Sequence, residues 1–64
     1  MKRQLRELRF RRGWTRDDLA RQAGVSVRTV QRWEEGSTLP RLETLAALCR
    51  ALRCSLSDLF DGDL

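Results

Sequence analysis

Arg28, Gln31 and Arg32 lie three and four residues apart, and each ends in a planar group with more than one hydrogen-bonding atom. Stepping about 100° per residue from Val30 on a helix, these three fall on the far side, whereas Trp33 and Glu34 come within about 60° of it. Val30 and Trp33 therefore face inward, and the Arg-Gln-Arg set faces out. Such a face carries donors for the O6/N7 edge of guanine and an amide for the N6/N7 edge of adenine. Val27, in the first turn, either packs on a thymine methyl or simply seals the helix entrance. Thr29, on the flank, suits a phosphate oxygen or a methyl better than a base edge. Other chemistries are short of parts. The chain has no His, which removes His-dependent triads, most zinc sites and the usual general base near neutral pH. Cys49 and Cys54 stand five apart, matching neither a CxxC redox motif nor a metal pair, and they read as reduced thiols filling small core positions. The composition argues against an enzyme, and no metal or cofactor is expected.

Charge narrows the field further. Residues 1–32 carry ten cations and three carboxylates, a net +7, while residues 33–64 carry three cations and six carboxylates, a net −3. All the cations but Lys2 are Arg, suited to two-pronged contacts with phosphate or guanine. A basic half of this kind draws polyanions by long-range steering and counterion release. A solvated surface of i,i+4 ion pairs is the other reading of the same charges. Chains of this length hide only about 60% of the surface exposed when unfolded, so residues 1–64 are expected to form one domain with one core. The N-terminus opens on charges, and no apolar stretch approaches a membrane span. A soluble, cytoplasmic protein with no membrane partner is expected.

The frame that must hold the Arg-Gln-Arg face is legible in the apolar spacing and the caps. Leu5 and Leu8, with Arg9 and Arg12 continuing their stripe, predict a first helix over about 2–12, ended by Gly13. Thr15 is placed to cap a second, with Asp17 and Asp18 in its first turn and Leu19, Ala20 and Ala23 inward. Gly24 accepts a left-handed turn, and Ser26 is placed to cap a third helix over 27–35, closed by Gly36. Residues 37–40 read as a loop, because Pro40 pushes Leu39 away from helical dihedrals. A fourth helix is expected over 41–52, with Leu42, Leu45, Leu48, Cys49 and Leu52 at three- and four-residue steps. A fifth, short one follows Ser55 or Ser57, with Leu56, Leu59 and Phe60 apolar. Five short helices without strand-like alternation describe a compact all-α domain.

A capped helix, a tight turn at Gly24 and a second capped helix make residues 15–35 a central helix-turn-helix. The resemblance goes well beyond that segment. The run Leu5-x-x-Leu8-Arg9-x-x-Arg12-Gly13-Trp14-Thr15, then Leu19-Ala20-x-x-Ala23-Gly24-Val25-Ser26, then Thr29-Val30-x-x-Trp33-Glu34-x-Gly36, resembles the lambda-repressor and Cro-like (XRE-type) family. Pro40-x-Leu42-x-Thr44-Leu45-x-x-Leu48-x-x-Ala51-Leu52 and Ser55-Leu56-x-x-Leu59-Phe60 match that family's fourth and fifth helices. The resemblance implies a five-helix DNA-binding domain whose helix over 27–35 enters the major groove of double-stranded DNA while the preceding helix crosses the backbone. It also implies a repressor-type regulator, or an engineered binder on that scaffold, acting as a monomer or as a weak homodimer pairing on DNA. An antitoxin-like or other protein-interaction module of the same fold is the alternative, with Phe10 and the acidic tail in its favour.

Under that resemblance, Val27, Arg28, Gln31 and Arg32 read bases. The phosphate contacts fall to Arg16, Ser26 and Thr29 around the two helix starts and to Ser37, Thr38 and Arg41 in the loop and fourth helix. Exposed N–H groups at helix N-termini suit anions on physical grounds alone. Arg16 stands where Gln is common in the family, and its longer side chain still reaches a phosphate. Arg11, Arg12 and Arg21 serve either as peripheral backbone contacts or for solubility. Glu34, beside the core on the wheel, needs a cation, since an unpaired buried charge is costly. Arg9 shares the inner stripe of the first helix, and the family often joins an Arg and a Glu at these positions, so a partly buried, structural Arg9–Glu34 ion pair is expected. Arg53 replaces a usual helix-ending Gly, which implies a left-handed residue held at some cost. Trp14 and Trp33 are expected in the core. Phe10, opposite Leu5 and Leu8, is expected to pack on the C-terminal tail or form a small association patch.

Overall fold

The computed structural model describes residues 1–60 of the 64-residue chain, and all of its regular secondary structure is helical. The helices are α1 (Lys2–Arg11), α2 (Arg16–Ala23), α3 (Val27–Glu35), α4 (Leu42–Leu52) and α5 (Leu56–Phe60). Each helix sends one fully buried aliphatic side chain into a common core: Leu5, Leu19, Val30, Leu48 and Leu59. Full burial of such a side chain contributes about 1.5–3 kcal/mol, so five of them meeting at one point hold together helices too short to be stable alone. Met1, Ala20, Trp33 and Leu52 complete the centre. α2 packs on both α3 and α4, and α1 packs on α3 and α5.

The starts and ends of the helices follow from local chemistry. Thr15 Oγ1 accepts the Asp18 N–H at 3.1 Å while Asp18 Oδ2 accepts the Thr15 N–H at 2.8 Å, a reciprocal box that starts α2. Ser26 Oγ accepts the Thr29 N–H at 3.2 Å and starts α3. Ser55, rather than Ser57, starts α5, through a second box with Asp58 (3.2 and 2.9 Å). Gly24 at φ 71°, ψ 33° ends α2, and the Val25 N–H reaches back to the Ala20 carbonyl at 3.0 Å. This turn sets the angle between α2 and α3. Arg53 takes φ 53°, ψ 51°, a left-handed conformation unfavourable for a side chain with a Cβ. It lets the Cys54 N–H donate to the Cys49 carbonyl at 3.0 Å. Both thiols are free and half-buried against the core.

Several expectations change. α4 begins at Leu42, one residue later than predicted, with Arg41 as its N-cap. Leu42 is 77% exposed rather than part of the inner stripe. As the first helical residue it points back past the helix end, because Cα–Cβ bonds tilt toward the N-terminus. Leu56, first in α5, is exposed for the same reason. Arg12 leaves the α1 stripe to become its C-cap. Its guanidinium lies 4.9 Å over the Trp14 ring, and Trp14 is half-buried against the core while Trp33 is fully within it. Phe10 is 60% exposed, its ring 4.7 Å from the Arg9 guanidinium carbon. The acidic tail with which it was expected to pack lies outside the described residues. Met1 and Gln4 are buried, which the apolar spacing does not predict.

Candidate nucleic-acid interface

α3 presents Arg28, Gln31 and Arg32 to solvent along one face, where they line a shallow groove with Glu35 and Ser37. Among the described residues neither Arg28 nor Arg32 pairs with a carboxylate. Their forks are therefore open to a ligand. Val27, the first residue of α3, is 44% exposed at the same end as the Ser26 cap. Ser26 and Thr29 engage one another, with their hydroxyl oxygens 3.0 Å apart. A second groove, between α3 and the start of α4, collects Thr29, Thr38 and Arg41 with Pro40 buried beside them. Ser37 opens on the first groove and Thr38 on the second, so residues 37–41 connect the two.

Behind this surface lies an ion network. Arg9 Nε and Nη2 donate to the two Glu34 carboxylate oxygens at 2.7 and 3.1 Å, and Arg9 Nη1 donates to the Trp14 carbonyl at 2.9 Å. The side chains of Arg9 and Glu34 are 7% and 2% exposed. The pair thereby ties α1 to α3 and to the turn before α2. The sequence alone assigns Arg16 to phosphate; in the structure its Nε donates to Glu34 Oε1, at 3.1 Å. That link was not legible in the sequence, because the helical wheel places Glu34 inward without saying which neighbouring element comes within reach. Burial pushes the Glu34 carboxyl up, yet the hydrogen bonds and charges of Arg9 and Arg16 outweigh it and hold the group below its ordinary range. Elsewhere Arg21 pairs with Asp18, and Arg3 with Glu7 at 3.9 Å. Arg12 and Arg21 thus have partners within the chain, and Arg28, Arg32 and Arg41 do not pair with any described carboxylate. No cluster of three or more metal-ligating side chains occurs among the described residues, and no described helix is long and apolar enough to cross a membrane.

An all-helical frame with a capped helix-turn-helix and an open basic face on its second helix defines the class, and comparison agrees. The chain belongs to the HTH_3 helix-turn-helix family, whose model matches residues 3–59; this is a family of DNA-binding transcriptional regulators of the lambda-repressor type. It is 44% identical over 46 residues to Repressor protein C2 of Salmonella phage P22, covering 72% of this chain and 21% of that protein. It is 33% identical over 60 residues to the uncharacterized HTH-type transcriptional regulator YgzD of Bacillus subtilis, covering 94% and 91% of the two chains. It is 41% identical over 58 residues to the HTH-type transcriptional regulator DdrOP3 of Deinococcus deserti, covering 91% and 45%. A crystal structure of an HTH_3 family transcriptional regulator from Vibrio cholerae superposes with a TM-score of 0.81 at 34% identity, over 97% of this chain and 35% of that one. The chain thus spans nearly the whole of one relative and a fifth to a half of the others.

Proposed function

We propose that residues 1–64 act as one sequence-specific double-stranded DNA-binding domain of the repressor type, with α3 inserted in the major groove. Arg28, Gln31 and Arg32 read base edges, with Val27 against a thymine methyl. Arg16, Ser26, Thr29, Ser37, Thr38 and Arg41 fix the register on the phosphates. The observation that carries this reading is the contrast between cations. Arg9 is buried and fully engaged by Glu34 and the Trp14 carbonyl, whereas Arg28 and Arg32 stand one turn apart on an exposed face with no described carboxylate to hold them. The domain works in the cytoplasm on nucleoid DNA, as a monomer or a weak homodimer that pairs on its site.

Selection of preferred duplexes from a random pool, followed by binding of Arg28→Ala and Arg41→Ala, tests the assignment. Arg28→Ala is expected to cost about 1–3 kcal/mol on the selected site and to relax preference at one base pair. Arg41→Ala is expected to weaken all sequences alike and to reduce the salt slope by about one. Equal losses for Arg28→Ala on selected and random duplexes refute base reading. The protein-interaction alternative draws on exposed Phe10, Leu39 and Leu42, and failure of the unmodified chain to bind any duplex at micromolar concentration and low salt decides for it.

A further inference from the structure

We infer that Glu34 is a positioning residue for DNA binding, holding the Arg16 guanidinium by one edge so that its other edge is presented to a backbone phosphate beside the start of α2. The inference rests on the reading that α3 enters the major groove. Glu34 Oε2 is taken by Arg9 Nε, and Oε1 is shared between Arg9 Nη2 and Arg16 Nε. A guanidinium has five N–H groups in a plane, and using Nε leaves the end-on pair of terminal nitrogens for a second two-pronged contact. Arg16 has no other hydrogen-bond partner among the described residues, and its side chain is 44% exposed, so that outer edge is accessible. The anchor itself is rigid. The Glu34 side chain is 2% exposed, and Arg9 is bonded to the Trp14 carbonyl as well as to Glu34.

Charge points the same way. Two guanidinium groups share one carboxylate, leaving the cluster a net positive charge whose only substantially exposed member is Arg16. A one-to-one pair would be neutral and would offer a phosphate little. Holding the side chain in place beforehand also removes rotamer freedom that DNA binding would otherwise have to remove. Immobilising one such side chain corresponds to about a two- to tenfold change in affinity.

A double-mutant cycle on DNA affinity tests this, using Arg16→Ala, Glu34→Gln and the double variant on a selected duplex, with urea melts confirming that each is folded. Glu34→Gln is expected to weaken binding about two- to tenfold when Arg16 is present and to have no effect when Arg16 is Ala. Arg16→Ala is expected to reduce the salt slope by about one. A merely structural Glu34 weakens binding equally in both backgrounds, and a Glu34 that sequesters Arg16 from DNA tightens binding when replaced; either result overturns the inference. Should Glu34→Gln fail to fold, Arg16→Lys serves instead, since it leaves Arg9 and Glu34 untouched and keeps the charge but has no second edge. It is expected to keep the salt slope, because the charge remains, but to lose affinity about two- to tenfold for want of the second edge; wild-type affinity overturns the inference. An unmodified chain that binds no duplex overturns both this and the reading beneath it, whereas binding with zero coupling overturns this alone.

Discussion

At the scale of single residues, Glu34 governs more than its own helix. Removing Arg9 leaves a nearly inaccessible carboxylate facing one half-exposed cation, Arg16. Arg9→Met is therefore expected to destabilise the fold by ~3 kcal/mol, the lower end for breaking a buried pair because Arg16 remains, as read from urea unfolding. Unchanged stability would remove the structural role assigned to Arg9. The same carboxyl gives a pH dependence. Its folded pKa lies below the ordinary 4.5, so its contribution to stability is fully present above that value and is lost as the pH falls through the folded one. Acid should lower the urea midpoint, and Glu34→Gln should flatten that fall; an equally steep acid limb in the variant refutes the assignment. Asp18 and Asp58, held low by the N–H and hydroxyl groups of Thr15 and Ser55, act in the same direction. Cys54 behaves oppositely. Burial and the neighbouring Cys49 push its thiol up to about 11, so alkylation by iodoacetamide at pH 8 is expected to be far slower than for an exposed cysteine.

At the scale of elements, caps and helix ends carry most of the local specification. Thr15, Ser26 and Gly36 could be assigned from sequence because capping depends on side chains only a few residues apart. Arg53 is the exception among the helix ends, a non-glycine at φ 53°. Arg53→Gly is expected to stabilise the fold by about 1 kcal/mol through relief of left-handed strain, measured by thermal or urea melting. No gain would mean that the arginine side chain makes compensating contacts there. Gly36 is the converse case. At φ 80°, an added Cβ would also lie 3.1 Å from Lys2 Cδ, so Gly36→Ala is expected to destabilise by about 1 kcal/mol or more. The first turns of α4 and α5 depart from the burial that the apolar pattern predicts. Leu42 and Leu56 fit the apolar period, but period alone does not reveal that the first side chain of a helix projects beyond the helix it begins.

At the scale of the whole molecule, the cations divide into separate tasks. Arg9 is buried, Arg12 and Arg21 have partners within the chain, and Arg28, Arg32 and Arg41 stay open. If Arg16 and Arg41 are the phosphate-contacting cations, the logarithm of affinity is expected to fall with the logarithm of salt at a slope of about −2 per bound chain. A slope near −5 would instead enlist Arg11, Arg12 and Arg21. By itself the sequence determined the five helices, the caps of the second and third and the outward Arg-Gln-Arg face, because helical period and capping act over three to five residues and need no knowledge of distant neighbours. The Arg9–Glu34 pair was legible only in part, from an inward carboxylate that needed a cation and a family habit that suggested which one. Tertiary structure decided what distance along the chain conceals. It brought Arg16 onto the Glu34 oxygen eighteen residues away, placed Thr29, Thr38 and Arg41 along one groove, and buried Met1 and Gln4. Those relations depend on how helices cross, which is set by the five buried aliphatics meeting at a single core and by the left-handed turn at Gly24.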